Sequence, residues 1–278
     1  MNLYSIDAGL FKLDGGAMFG VVPKSIWQRT NPADENNLCT WAARLLLIES
    51  GDRRILIDTG LGDKQDEKFF SHYQPHGPSL SESLAQHGFH PDDITDVLLT
   101  HLHFDHVGGA ITQEGEQLVP TFKQAIYWSN QKHWNWAIHP NDREKASFLK
   151  ENILPIQESG QLKFIAEGER VPFAENIIIR FAYGHTDAMM LPQISYKGRT
   201  ILYMADLLPS VGHIPLPYVM AYDMFPLQTL KEKNQYLKEA LANRYVLFLE
   251  HDPLYECCTL QQTEKGIRLG KTFRLNEL

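Results

Sequence analysis

Cysteine is scarce in this chain: Cys39, Cys257 and Cys258 are the only three in 278 residues. Three cannot build a disulfide framework, and adjacent cysteines rarely bond each other. Their spacing matches no zinc motif, so reduced thiols in a cytoplasmic protein are expected. Long apolar runs are missing as well. No stretch approaches the roughly 20 residues that a membrane-spanning helix needs, so no membrane partner is expected. The opening MNLYSIDAGLFKLDGG lacks a basic start and an apolar core of secretory length, so no signal peptide is expected. Basic residues are outnumbered, 26 Lys and Arg against 34 Asp and Glu, for a formal charge of −8. A general nucleic-acid binder needs the opposite balance to neutralise phosphates. Linker tracts rich in Ser, Gly or Pro and short repeats are also absent, so residues 1–278 read as one domain. With 43% hydrophobic residues, a chain of this length can bury a substantial core.

What is present is a recurring strand pattern. Arg54-Ile55-Leu56-Ile57 stops at Asp58, Ile94 to Leu99 at Thr100-His101, and Ile177 to Tyr183 at Gly184-His185. Thr200 to Ala205 stops at Asp206, and Tyr245 to Leu249 at Glu250-His251. Short, nearly continuous apolar runs suit strands covered on both faces. Each of the five ends at or beside an acid or a histidine, and ligands on strand ends converge on one rigid edge. Helices are expected over Ser79–His87, Thr229–Leu241 and, interrupted by Pro140, Ser129–Leu149. Gly15 to Asn37 reads as hairpin and loop. Strands and helices alternate, so the class is α/β.

The densest signal is His101-Leu102-His103-Phe104-Asp105-His106. Imidazole and carboxylate are good ligands for zinc and similar divalent metals. Alternation points His101 and His103 one way and Asp105 and His106 another, which suits two neighbouring metals better than one. Gly108-Gly109 then lets the backbone turn tightly into a following helix.

Together with Asp58-Thr59-Gly60 before it and Gly184-His185-Thr186 after it, the run THLHFDHVGG resembles the metallo-β-lactamase superfamily. The resemblance implies an αββα sandwich, two mixed sheets flanked by helices. It implies that His101, His103 and His185 hold one metal and Asp105, His106 and His251 a second. Asp206 would bridge the two, and Asp58 would orient the ligands from behind. The implied cofactor is a pair of Zn2+ ions, other divalent metals being compatible with the same donors. The implied reaction is attack of a metal-bridging hydroxide on an ester-like centre, with Asp105 orienting it and passing its proton to the leaving oxygen. Oxygen-using, iron-binding relatives carry Glu where this chain has His103, which favours hydrolysis.

Within that superfamily, a bridging Asp206 separates the chain from true β-lactamases. A C-terminal basic helical region like that of glyoxalase II enzymes is absent, and the net charge suits RNA-processing relatives poorly. The chain thus resembles the branch of quorum-quenching acyl-homoserine lactonases and organophosphate hydrolases. That implies a small-molecule lactone or ester as substrate, with organophosphate or arylester hydrolysis as the alternative. A non-catalytic metal-binding member of the fold is the remaining alternative. Met18 to Asn37 looks like that branch's N-terminal segment, so residues 15–37 are expected to form a lid or a homodimer contact. Lactonases of this branch carry a tyrosine three residues after the bridging Asp, where this chain has Pro209. His213 is the expected substitute donor, with Tyr222 the other candidate. Met18, Phe19, Trp27, Trp134, Trp136 and Tyr222 are the expected lining of a substrate pocket.

Overall fold

The protein is described by a computed structural model that covers residues 1–278. The first half of the chain runs β1 (Asn2–Asp14), α1 (Gly15–Phe19), α2 (Lys24–Trp27), β2 (Leu38–Ser50), β3 (Arg53–Ile57), α3 (Glu67–Tyr73), α4 (Leu80–Gln86) and β4 (Asp96–Leu98). It continues through α5 (Phe104–Val107), β5 (Ile111–Glu114), β6 (Gln117–Pro120), β7 (Ile126–Ser129), α6 (Gln131–Ile138), α7 (Lys150–Glu158) and β8 (Leu162–Phe164). The second half has β9 (Val171–Ala174), β10 (Ile177–Ala182), β11 (Met189–Tyr196), β12 (Arg199–Tyr203), α8 (Pro226–Ala242), β13 (Val246–Phe248), β14 (Cys257–Thr263) and β15 (Gly266–Phe273).

Two mixed sheets result, ordered β1-β2-β3-β4-β7-β8 and β15-β14-β13-β12-β11-β10-β9. The period of two in the strands explains how they stack. On β2, Leu46 and Ile48 face the second sheet and pack with β10, β11 and β12, while Leu45 and Leu47 face the other way. On β3, Ile55 and Ile57 face inward and Leu56 outward. The outward set is covered by Leu84 of α4, Trp134 and Ala137 of α6, and Ile153 and Ile156 of α7. Tyr236, Leu237 and Ala240 of α8 cover the far side of the second sheet. Helix, sheet, sheet, helix is the expected αββα order. A third apolar cluster gathers Phe11, Met18, Phe19, Trp27 and Trp41 under the N-terminal segment.

Strand direction places the site. β3 and β4 are parallel, as are β12 and β13, and β10 runs antiparallel to β11, which runs antiparallel to β12. The carboxyl ends of β3 and β4 therefore share one edge of the first sheet, and those of β10, β12 and β13 one edge of the second, where the five expected acid- or histidine-bearing turns emerge.

Three local expectations need correction. The helix expected over Ser129–Leu149 spans only Gln131–Ile138, because Ser129 still belongs to β7 and the chain breaks at His139-Pro140. Gly15–Asn37 contains two short helices; the Asp14 side chain caps the first by accepting from the Ala17 amide. Gly108 and Gly109 form a single 3-10 turn that ends at Ala110, and the chain then enters β5 rather than a longer helix. Nor do these glycines serve a tight dihedral. A Cβ on Gly108 would be driven into the Leu61 carbonyl, and one on Gly109 into that of Thr59.

Candidate metal centre

Five imidazoles and two carboxylates meet where the strands end. His101 Nε2 and His185 Nε2 lie 3.1 and 3.2 Å from His103 Nδ1. His106 Nε2 lies 3.1 Å from His251 Nε2, and Asp105 Oδ2 lies 3.8 Å from each of them. Asp206 stands between the triads. Its Oδ1 is 3.0 Å from His251 Nε2 and 3.5 Å from His106 Nε2, while its Oδ2 is 3.2 Å from His185 Nε2.

These separations can be tested against a metal. Ligand nitrogens about 2.05 Å from a shared tetrahedral ion sit about 3.3 Å apart, close to the spacing within each triad. All seven residues are buried, and Asp206 Oδ1 has no hydrogen-bond partner in the protein. A buried carboxylate oxygen facing two imidazole nitrogens fits a cation, and the N/O donor set fits a divalent one. Two groups of three that meet the geometric requirement are His101, His103, His185 and Asp105, His106, His251.

The outer ring nitrogens are tied down. His103 Nε2 lies 2.9 Å from Glu144 Oε1, and His185 Nδ1 2.8 Å from Asp223 Oδ1. His251 Nδ1 lies 2.7 Å from the Ala42 carbonyl, and His101 Nδ1 3.1 Å from Thr100 Oγ1. His106 Nδ1 bonds Asp58 Oδ2 at 3.1 Å and also lies 3.2 Å from Glu250 Oε1. Such partners fix the tautomer, leaving the inward nitrogen unprotonated. Asp58 also accepts from the Thr100 amide and hydroxyl at 2.7 and 2.6 Å, so it locks β3 to the histidine run. Both Asp58 and Ala205, next to Asp206, hold positive φ, 60° and 40°. Non-glycine residues in that region mark strain retained where surrounding structure over-determines it.

Electrostatics divides the cluster. Burial, then the neighbouring imidazoles, push His101 well below the ordinary histidine range. Burial also works against charge on His251, yet the Asp206 carboxylate beside it pushes it up to about 9. Burial alone would raise Asp206, but His251, His106 and His185 hold it well below the usual carboxylate range. The centre thus carries a concentrated demand for positive charge beside Asp206.

Several supporting residues carried no sequence signal. Glu144 lies in a turn 41 residues from His103 and also accepts from Trp136 Nε1 at 2.6 Å. Asp223 is visible in sequence only as one acid among many, whereas Glu250 stands at a strand end beside His251 without a role that the sequence assigns. His133 accepts from the Leu102 amide at 2.9 Å and its Nδ1 lies 2.6 Å from the Asp187 carbonyl, clamping the histidine run to the loop after His185.

The expected pocket needs revision. Met18, Phe19 and Trp27 are 2%, 0% and 1% exposed. Phe19 stacks on Trp27 at 5.3 Å, so these side chains form interior packing rather than a lining. Trp134 lies in the layer between α6 and the first sheet. Trp136, two positions on, reaches the centre through Glu144. His213 has neither ring nitrogen free: Ser210 Oγ lies 2.8 Å from Nδ1, and Nε2 lies 2.9 Å from the Met18 carbonyl. Its ring stacks on Phe19 at 4.4 Å, so it clips the N-terminal segment instead of facing substrate. Tyr222 is partly exposed, and so is Tyr73, whose ring lies 4.6 Å from that of Phe104. Burial raises both phenols, followed for Tyr222 by Tyr73 and then Asp105, and for Tyr73 by Asp105. Tyr73 was not anticipated.

Residues 44–251 match the sequence profile of the metallo-beta-lactamase superfamily. The chain is similar to the N-acyl homoserine lactonase AiiA of Bacillus thuringiensis subsp. kurstaki, 31% identical over 119 residues. That match takes in 39% of this chain and spans only 43% of the lactonase. Among solved structures, a probable metal-dependent hydrolase from Staphylococcus aureus superposes with a TM-score of 0.88 at 28% identity, covering 98% of this chain and 96% of that one. AidC, a dizinc quorum-quenching lactonase solved with a bound product, shares the fold with a TM-score of 0.81 at 20% identity, covering 98% and 95%. Fold, motif order and the match over most of its length agree: this chain belongs to the metallo-beta-lactamase superfamily.

Proposed function

We propose that this chain is a dinuclear zinc hydrolase that opens lactones or related esters, N-acyl homoserine lactones among them. The observation that carries the reading is Asp206, whose two oxygens turn to different histidine groups, one toward His106 and His251 and the other toward His185. In this reading His101, His103, His185 and Asp206 would hold one ion, and Asp105, His106, His251 and Asp206 the other. Two divalent ions bound there supply Lewis acidity and make hydrolytic water available at neutral pH. The protein's own groups do the rest. Asp105 would take the proton released by the attacking water and pass it to the leaving oxygen, since Asp206 faces both histidine groups. Tyr73 and Tyr222 offer hydroxyls to the substrate's carbonyl or leaving oxygen, the part expected of His213. Phe69, partly buried and 5.3 Å from the Phe104 ring, offers an apolar surface to an acyl chain.

The lactone class is supported by the relatives, AiiA and AidC, which are named as lactonases. The test is kcat/KM for lactones of graded acyl length against an arylester and a phosphotriester, with metal content measured on the same sample. A clear preference for lactones is expected. A lactone rate no better than the arylester rate would overturn the substrate assignment, and a preference for the phosphotriester would replace it.

A further inference from the structure

Lys233 of α8 is 1% exposed, and lysine is seldom that buried without a carboxylate partner. Its ammonium instead donates to three backbone carbonyls: His213 at 2.8 Å, Pro215 at 3.2 Å and Tyr218 at 2.6 Å. All three lie on the turn that follows Asp206. Burial pushes the ammonium down to about 7, with the Asp223 charge acting the other way.

Two branches leave that turn. One runs to the N-terminal segment: His213 Nε2 to the Met18 carbonyl at 2.9 Å, and the Ala221 amide to the Ala17 carbonyl at 2.8 Å. Gly20 lies so close to the Val219 carbonyl that a Cβ there would collide with it. The other branch runs to the metal centre. Asp223 Oδ1 meets His185 Nδ1 at 2.8 Å, the Met224 amide donates to the His185 carbonyl at 3.0 Å, and the Phe225 amide to that of Gly184 at 2.8 Å.

We propose that Lys233 is a positioning residue that fixes the N-terminal segment and the His185 side of the metal centre to a single anchor. The second half rests on reading His185 as a metal ligand. Loosening this one turn should therefore disturb two places that are far apart in sequence, while the sheets stay intact.

The experiment is Lys233→Met, read by hydrogen exchange on the metal-free protein and by metal affinity in competition with a chelating dye. Exchange in 15–20 and 213–225 should quicken by about tenfold or more, with β11 and β12 still protected, and metal affinity should fall by about tenfold. Unchanged exchange in those segments would overturn the proposal, and so would an equal loss of protection throughout the sheets. Selective loosening with unchanged metal affinity would overturn the branch to the metal centre, and a His185→Ala variant that keeps wild-type metal affinity would separately overturn the reading of His185 as a ligand. Lys233→Gln, which keeps two N–H donors on a shorter arm, should give an intermediate result even if the Met variant folds poorly. His213→Phe, which cuts only the first branch, should quicken exchange in 15–20 and leave metal affinity unchanged; a drop in metal affinity would contradict the two-branch arrangement.

Discussion

Replacing Glu144 by Gln changes almost no volume, yet the structure assigns it a specific penalty. Glu144 accepts from His103 Nε2 on one oxygen, at 2.9 Å, and from Trp136 Nε1 on the other, at 2.6 Å. A glutamine has one oxygen and one NH2, so it can serve only one of these donors. If the oxygen faces Trp136, the NH2 confronts His103 Nε2 and favours the other tautomer. The proton then sits on Nδ1, the nitrogen 3.1 and 3.2 Å from those of His101 and His185. A protonated nitrogen cannot ligate. If the oxygen faces His103, the Trp136 N–H loses its acceptor, at about 1–3 kcal/mol of stability. The first outcome predicts metal binding weaker by about 10–100-fold, or about 1.4–2.7 kcal/mol, with an unfolding midpoint of the metal-free protein near wild type. Zinc or cobalt affinity measured by dye competition, beside denaturant unfolding of the metal-free protein, separates the two. Unchanged metal affinity together with unchanged stability would refute the argument that Glu144 sets the His103 tautomer.

Other consequences follow from the same geometry. Gly108→Ala forces a methyl into the Leu61 carbonyl; it should lower stability by about 1–3 kcal/mol in urea unfolding, and an unshifted midpoint would contradict the close approach. Removing metal with a chelator should lower the thermal midpoint reversibly, since an ion held at thousandfold excess over its Kd adds about 4 kcal/mol; calorimetry before and after adding zinc back checks this. Asp96 accepts from Arg53 at 3.0 and 2.6 Å and from Trp128 Nε1 at 2.8 Å, and although burial alone would raise it, these partners and Thr95 hold it below the ordinary aspartate range. Its folded-state value being the lower one, its stabilisation is present above the unfolded value and is lost as pH falls. The gap between wild type and Asp96→Asn should therefore be about 2–3 kcal/mol near neutrality and close below about pH 4; a gap constant with pH would contradict the assignment.

The legible parts of this protein were the local ones. Asp58, His101 to His106, His185, Asp206 and His251 stood out because each follows a short apolar strand, and parallel strands bring such ends together. What stayed hidden depends on contacts between distant segments. Glu144, Asp223 and Lys233 look like surface charges in sequence, and only packing turns them toward His103, His185 and the 213–218 turn. Trp134 and Trp136 are two apart on a helix with 3.6 residues per turn, so they face different surroundings, the core for one and Glu144 for the other. The helices at 15–19 and 24–27 are too short to leave a period. His213 looked free because its two partners, Ser210 and the Met18 carbonyl, are ordinary groups that the fold brings to it.

The central claim is that one carboxylate, Asp206, holds two metal sites together. Native mass spectrometry of the zinc-loaded protein, paired with lactone turnover on the same sample, tests it most directly. Two zinc ions per chain are predicted for the wild type, with Asp206→Ala losing at least one of them and most of the turnover. A wild type that hydrolyses lactones with a single ion, or an Asp206→Ala variant that keeps both ions and full activity, would contradict the account.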